Sequence, residues 1–350
     1  MIPTQSVPEV LNRARGLVAP ALRAAVDRLS PELRPIAEYH LGWADAQGRP
    51  SGGDGGKGVR PALAVLSAEA VGAEGIVGAP GGVAVELVHN FSLIHDDVID
   101  EDAERRHRPT VWALFGIGRA VIVGDALLAL AQQVVLDPAL VVALPRGEKR
   151  SFNGEGAATA VADATAAMIA GQALDMAFES VPVVDVEGCL AMEAGKTGAL
   201  LGCASSIGAV LAGAPAETVA ALSRFGVELG LAFQAVDDLL GIWGDPATTG
   251  KPAWSDLRQH KKTLPVAAAL AAGGQGAEEL CGLLGREHLE EAQVARAARL
   301  VEEGGGRTAT LEEAERRLTS ALAALDVVTL ADRAREELIE VARFVVDREF

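Results

Sequence analysis

The sequence predicts an all-α fold, and three observations carry that prediction. Hydrophobic residues fill 49% of the 350 positions while aromatics fill only 4%, so Ala, Leu and Val must build the core. Ala and Leu are strong helix formers, whereas strands would draw on more β-branched and aromatic side chains. Apolar residues also recur at helical spacing through long segments punctuated by Gly and Pro. No repeat of 20–50 residues and no long linker divides the chain, so one domain spanning residues 1–350 is the economical reading.

Periodicity begins near Pro8 and runs to about Leu29, where Val10-Leu11, Leu17-Val18, Leu22 and Val26 recur. After Trp43 comes a loop from Ala44 to Gly58 that holds six Gly and Pro50. Helices are expected at 61–73, 79–102, 118–136, 154–180, 185–211 and 215–243. Pro80-Gly81, Pro145-Arg146-Gly147 and Gly213-Ala214-Pro215 signal the loops between them. Gly244 to Gln259 reads as an irregular polar loop. Shorter helices follow near 262–272, 277–285, 288–303, 309–325 and 328–347, broken at Gly273-Gly274 and Gly304 to Gly306. These last helices are expected to serve as core wall or subunit contact.

Lys plus Arg total 31 against 48 Asp plus Glu, a net charge of -17. Such a surface repels nucleic acid and anionic membranes. It also repels diphosphates at long range, so a site for one needs local cations. Cys189, Cys203 and Cys281 form no CxxC pair and read as small buried hydrophobes in a reducing compartment. The first 27 residues contain no signal-peptide core. The most apolar stretch, Ala120 to Leu144, is broken by Asp125, Gln132-Gln133 and Asp137-Pro138. It reads as a buried helix rather than a membrane span, and the chain as cytoplasmic.

The chemistry concentrates in three places. In the first, Asp96 and Asp100 lie four residues apart on a predicted helix, about 6 Å along its axis. Two carboxylates so placed repel each other until a divalent cation joins them. Mg²⁺ suits the pair, since it takes one or two carboxylates and fills its shell with water and phosphate oxygens. Arg105-Arg106 follows closely and can grip the remaining oxygens of a metal-bridged diphosphate. A solvated helix end would explain the acids alone, but they close an apolar, buried-type segment (Leu87-Val88, Phe91, Leu93-Ile94). The second place is Gly55-Gly56-Lys57-Gly58-Val59-Arg60-Pro61, a Gly loop leading into a helix start with two cations. It is no P-loop, because Ser51 and Gly58 stand where Gly and Ser/Thr are needed. The third is Phe233-Gln234-Ala235-Val236-Asp237-Asp238, continuing through Asp245, Lys251, Asp256 and Lys261-Lys262. Lys196-Thr197 adds a charge inside an Ala/Gly-rich helix, where it wants an anion.

These motifs, in this order over roughly residues 50–265, resemble the trans-isoprenyl diphosphate synthase (polyprenyl synthetase) family. GGKxxRP matches Gly55 to Pro61, and DDxxD with paired arginines matches Asp96-Asp97-Val98-Ile99-Asp100 with Arg105-Arg106. KT is Lys196-Thr197, FQxxDD is Phe233 to Asp238, and GKxxxSD is represented by Gly250-Lys251 through Asp256. The resemblance implies a helical bundle around a central cavity, a homodimer, and two or three Mg²⁺ ions. By the same resemblance, Asp96 and Asp100 hold Mg²⁺ on an allylic diphosphate and Asp237 holds a third ion, with Asp97 and Asp238 in support. Arg105, Lys196 and Lys251 contact that diphosphate, and Lys57, Arg60, His89 and Arg106 bind isopentenyl diphosphate. Thr197 and Gln234 line the space beside the reacting carbons. The second acidic motif departs from the family pattern, reading Asp237-Asp238-Leu239-Leu240-Gly241 where a final Asp is expected. His107 also stands where the family commonly has Gly. Phe91 and the small Ser92, one turn above Asp96, match the pattern of a geranylgeranyl diphosphate synthase. A farnesyl or longer-chain synthase is the alternative. A class I terpene cyclase shares the acidic helix but has no need of Lys57, Arg60 and Arg106 together. A silent partner subunit finds support only in Gly241.

Overall fold

The computed structural model describes residues 8–52, 58–142, 152–246, 252–286 and 288–346. They cluster into two compact units. The first comprises Met1–Thr165, Cys203–Ser223 and Val328–Leu338; the second comprises Ala166–Gly202, Arg224–Val327 and Ile339–Phe350.

In the first unit, α1 (Glu9–Val26), α3 (Val59–Ala70) and α6 (Ile117–Leu136) pack on α4 (Gly75–Ile99). Buried Leu11, Leu63, Leu66, Leu87, Ile94 and Leu127 fill the space between them. The short helices α2 (Arg34–His40) and α5 (Val111–Phe115), and a hairpin of β1 (Glu104–Arg105) with β2 (Arg108–Pro109), are elements that periodicity alone does not reveal. They are too short to show a helical or strand repeat.

Pro80 marks no loop. It lies inside α4 and is buried, although a mid-helix Pro forfeits a backbone hydrogen bond. Packing compensates: a Cβ on Gly78 would stand 2.3 Å from the Ala64 carbonyl oxygen, so the glycines around Pro80 let α4 lie directly on the backbone of α3. Here tertiary contact overrides local propensity.

The second unit is built from the later residues of α7 (Gly154–Glu179), α8 (Val186–Glu193), the π-helical turn Ala194–Gly198, and α9 (Ala199–Leu211), of which only the start belongs here. Most of α10 (Ala216–Trp243) follows. The expected irregular loop 244–259 contains a helical turn, α11 (Ser255–Arg258). Then come α12 (Leu264–Ala271), α13 (Gly274–Leu284), α14 (Glu291–Glu303) and α15 (Gly306–Ala324). The last helix, α16 (Asp332–Val346), supplies residues to both units. A capping box between Glu290 and Gln293 starts α14, and Val294, Ala297, Ala298 and Val301 form its buried stripe. That stripe meets Ile242, Leu257, Val266 and Leu280 in one core.

Among the described residues, four helical stretches are long and apolar enough to cross a membrane by length and composition: Ile117–Leu136, Gly154–Glu179, Val186–Leu211 and Ala216–Trp243. The most apolar window of the third is 72% buried, but that of Ile117–Leu136 only 44%. Of the buried helix expected over 120–144, the part to Leu136 is helical and buried on one face, by Ala120, Val123, Leu127 and Val134. Ile117 and Ile122, each 56% exposed, sit on the other. A separate short turn follows at Pro138–Leu140. Residues 143 and 144 lie outside the described residues, as does the expected loop at Pro145-Arg146-Gly147. Among the cysteines, Cys189 and Cys203 are buried and Cys281 only partly so.

Candidate active site

In the first unit, the last turns of α4 carry the first acidic motif. Asp97 points inward and is 1% exposed, while Asp96 is partly buried and Asp100 lies at the exposed C-cap. Glu101 follows with φ 54°, and the Asp102 N–H donates to the Asp97 carbonyl at 3.0 Å. This is a Schellman ending that holds a Glu where Gly is usual. Burial raises the Asp97 pKa, against the opposing charge of Arg105. Arg105 Nε donates to Asp97 Oδ1 at 2.6 Å.

The hairpin that carries these arginines turns at Arg106 and His107, with φ 52° and 60° between the paired Arg105 and Arg108. A two-residue turn with both φ positive is type I′, whose favoured residues are Asn and Gly. That accounts for the family's Gly at the place of His107. A non-Gly residue there costs about 1–2 kcal/mol, less the extra chain entropy a Gly would lose. We expect His107→Gly to stabilise the fold by roughly 0.5–1 kcal/mol. Urea unfolding checks this, and an unchanged midpoint would contradict a strained turn.

α2 braces the hairpin. Tyr39 Oη donates to the Pro109 carbonyl at 2.7 Å, and the Arg108 guanidinium lies 4.3 Å from the Tyr39 ring centroid. Nearby, burial lowers the His40 pKa to about 4, and Arg105 adds to the effect. Burial also pushes His89 well below the usual histidine range, with Arg60 and Arg106 contributing. Arg60 is lowered by burial and Glu86 raised by it, each partly compensating the other. Asn90 donates to Glu86 Oε1 at 3.2 Å. Both imidazoles are therefore neutral near pH 7 and sit among guanidinium groups, a setting that favours an incoming anion. His40, Glu86 and Asn90 carry no motif, and the sequence reading did not single them out.

One turn above Asp96, Phe91 is 6% exposed and meets His95 edge-on, ring centroids 4.9 Å apart. His95 in turn fills the space over Gly124 of α6, where a Cβ would stand 2.3 Å from its Nε2. Ser92 is partly buried, and its hydroxyl donates to the His89 carbonyl at 2.8 Å.

The second unit holds a pocket of about 100 Å³ lined by Asp175, Glu193, Lys196, Thr197, Gln234, Asp237, Asp238, Asp256 and the segment Lys261 to Thr263, with Met192. α10 presents Gln234, Asp237 and Asp238. The π turn, closed by the Ala199 N–H on the Ala194 carbonyl, presents Lys196 and Thr197; such turns recur at functional sites. Lys196 pairs with Asp175. The Thr197 hydroxyl donates to Gln234 Oε1 at 3.1 Å, and Gln234 Nε2 donates to Asp238 Oδ1 at 3.0 Å. The Leu264 N–H reaches the other Asp238 oxygen at 2.9 Å.

Burial pushes the Asp238 pKa up to about 7, despite those two donors, and Asp256 and Asp237 add to the rise. Glu193 is pushed well above the carboxylate range by burial and then by Asp238. Its Oε1 accepts from the Cys189 thiol at 3.3 Å, while Oε2 finds no donor among the described residues. Among the described residues no group of three or more His, Cys, Asp or Glu is placed to hold a metal ion by itself. The carboxylates present suit a cation that keeps much of its water, as Mg²⁺ does.

Of the expected site residues, the structure thus brings Lys196, Thr197, Gln234, Asp237 and Asp238 to one pocket, and Asp96, Asp97, Asp100, Arg60, His89, Arg105 and Arg106 to the first unit. Lys57 and Lys251 lie outside the described residues. Asp175 and Glu193 were not expected; the one available signal for Glu193 was an acid within an apolar helix.

The profile of the polyprenyl synthetase family matches residues 51–301. The chain belongs to the polyprenyl synthetase family. Two relatives from Mycobacterium tuberculosis (strain ATCC 25618 / H37Rv) align along nearly its whole length. A (2E,6E)-farnesyl diphosphate synthase is 46% identical over 97% of this chain and 93% of its own. A geranylgeranyl diphosphate synthase is 41% identical over 99% and 96%. The crystal structure of a polyprenyl synthetase from Streptomyces coelicolor A3(2) superposes with TM-score 0.90, at 53% identity over 97% of this chain and 100% of that one. A geranylgeranyl pyrophosphate synthase from Corynebacterium glutamicum, complexed with isoprenyl diphosphate and magnesium, gives TM-score 0.79 at 26% identity, over 98% and 100%. This synthase is therefore a trans-prenyltransferase with the isoprenoid synthase helical fold.

Proposed function

We propose that this synthase extends an allylic diphosphate with isopentenyl diphosphate to yield geranylgeranyl diphosphate, the whole chain working as one domain. Asp96 and Asp100 hold Mg²⁺ on the allylic diphosphate, and Asp237 holds a further ion, two or three in all. The bound ions supply positive charge to the diphosphate as its C–O bond ionises. The buried Glu193 Oε2, without a donor among the described residues, and the acids Asp237, Asp238 and Asp256 that line the same pocket support such an ion. Arg105, Lys196 and Lys251 bind the allylic diphosphate. Lys57, Arg60, His89 and Arg106 bind that of isopentenyl diphosphate. Thr197 and Gln234, tied to each other, flank the reacting carbons. The double bond of isopentenyl diphosphate attacks the allylic cation, and a proton leaves to the departed diphosphate. No side-chain nucleophile takes part.

Product length is carried by Phe91, buried one turn above Asp96 and braced by His95, with small Ser92 beside it. The 46% identical relative favours the farnesyl length instead. Incubating the purified chain with Mg²⁺, isopentenyl diphosphate and each allylic diphosphate, then sizing the dephosphorylated products, decides between them. We expect a C20 alcohol from the parent and longer products from Phe91→Ala. A C15 end product would overturn the length, and a cyclised hydrocarbon or no turnover would overturn the elongation reading.

The synthase is further proposed to be a cytoplasmic homodimer. The exposed face of α6, with Ile117, Val121, Ile122 and Leu136, supports a second copy as its cover. Asp125, its side chain 66% exposed on that helix, argues against lipid. Sedimentation velocity is expected to give twice the 36.1 kDa chain mass; a monomer at micromolar concentration would refute the dimer.

A further inference from the structure

The arginine cluster of the first unit contains an imidazole that no motif supplies. His40 is the last residue of α2, and α2 is stitched to the hairpin that carries the arginines. Tyr39 Oη donates to the Pro109 carbonyl at 2.7 Å, and Arg108 Nη2 donates to the Ala44 carbonyl at 3.0 Å. The His40 ring is thereby brought to the hairpin. Arg105, Arg106 and Arg108 are close enough for their charges to bear on it, and it bears in turn on His89.

The hydrogen bonds around the ring fix its state. Asn90 Nδ2 donates to the Glu86 carbonyl at 2.8 Å and to Glu86 Oε1 at 3.2 Å. The amide therefore offers its oxygen, an acceptor only, to its other side-chain partner, His40. His40 Nε2 is buried and has no partner among the described residues, so Nδ1 is the nitrogen that donates to Asn90. A neutral ring with its proton on Nδ1 carries a bare lone pair at Nε2. Arg60 Nε is a second buried nitrogen without a partner among the described residues, and Arg60 acts on both Glu86 and His89. A histidine at a helix C-terminus would ordinarily favour its charged form. Here burial and then Arg105 hold it neutral, with Asn90 opposing them. An arriving anion reverses that balance, because it offsets the arginines and gives a protonated Nε2 an acceptor.

We infer that His40 is a further binding residue for the diphosphate of isopentenyl diphosphate, taking a proton from solvent as that diphosphate arrives and donating through Nε2 to one of its oxygens. Nδ1 keeps its bond to Asn90, so both N–H groups of the imidazolium are satisfied. The inference rests on the reading that places this substrate among Arg60, His89 and Arg106. The charged and titratable groups facing His40 are Arg105, Arg106 and Arg108 of the hairpin and His89 of α4, with Glu86 behind Asn90 and Arg60 of α3 behind Glu86. The arginines stay charged throughout, and Glu86 and His89 are common to the parent and its variants. A proton taken up with the ligand makes affinity weaken as pH rises above the free-ring value of about 4, up to the higher value of the bound ring.

Proton counting provides the test. The full chain is titrated calorimetrically with isopentenyl diphosphate in two buffers of different ionisation heat, alongside steady-state kinetics from pH 6 to 8 and thermal unfolding. His40→Leu is expected to raise the KM for isopentenyl diphosphate by about tenfold or more at pH 6, the scale of a hydrogen bond to a charged group. The KM for the allylic diphosphate should stay within about twofold. The variant should take up fewer protons than the parent, and the KM gap should narrow towards pH 8. Its melting temperature should hold, since an unsatisfied buried nitrogen leaves with the ring. His40→Gln, whose amide donates without a proton, should recover part of the affinity and none of the proton uptake. A parent-like KM in His40→Leu, or equal proton uptake in the two proteins, overturns the inference. A fall in melting temperature in both variants makes His40 structural and overturns it too. A parent chain that does not bind isopentenyl diphosphate overturns the substrate reading, and this inference falls with it.

Discussion

Asp96→Ala is expected to lower kcat by about 10²–10³-fold or more while leaving the fold intact, the scale seen when one electrostatic contact to developing charge is removed. The two halves of that statement have separate causes. Asp96 is partly buried near the end of α4, and the residues that pin the helix are others: Phe91, Ile94 and Asp97 are the buried ones in its last turns. Ala is also the better helix former, by a few tenths of a kcal/mol, so thermal melting should hardly move. Removing the carboxylate leaves Asp100 alone to carry the ion on that helix. Steady-state kinetics across Mg²⁺ concentrations, paired with a melting curve, measure both halves. Near-normal turnover would refute the metal assignment, and a collapsed melting temperature would refute the separation of fold from chemistry.

Arg105→Ala is expected to damage both. Asp97 is 1% exposed and takes its charge-assisted bond from Arg105 at 2.6 Å. Deleting the guanidinium leaves a buried carboxylate without that partner, at a cost of about 2 kcal/mol. The pH dependence follows from the raised Asp97 pKa, which loss of Arg105 raises further. Below the unfolded carboxylate range Asp97 is protonated in both states, so the variant loses least. As pH rises through the raised folded value, the unfolded chain gives up its proton more readily and stability falls. Urea unfolding should therefore show a larger deficit at pH 8 than at pH 5; a deficit independent of pH would contradict this account. Turnover should fall too, because the diphosphate loses a bidentate donor, and Lys in its place should restore little of it.

The helices were legible because their signal is local. The buried face of α14 follows the apolar spacing of residues 294 to 301, and the acid pair of α4 follows from a four-residue step. The π turn at Ala194–Gly198 left no trace in composition, since a single inserted residue shifts the phase without changing the pattern. His107 looked anomalous until the hairpin showed a turn that demands positive φ at that position. Pro80-Gly81 misled, because a loop signal and a close backbone contact use the same residues.

By itself the sequence determined the all-α class, the two acidic motifs, the cationic segments and the residues that populate them. Those properties depend on neighbours within a few positions along the chain. Only the tertiary structure showed that Asp97 is buried and takes a hydrogen bond from Arg105. It alone brought Asp175 and Glu193 into one pocket with Asp237, Asp238 and Asp256, and placed the Asp256 carboxylate in the space that a side chain at Gly241 would need. These outcomes depend on excluded volume and burial between segments apart in sequence, and no spacing rule encodes that a Cβ at position 241 would stand 1.9 Å from Asp256 Oδ2.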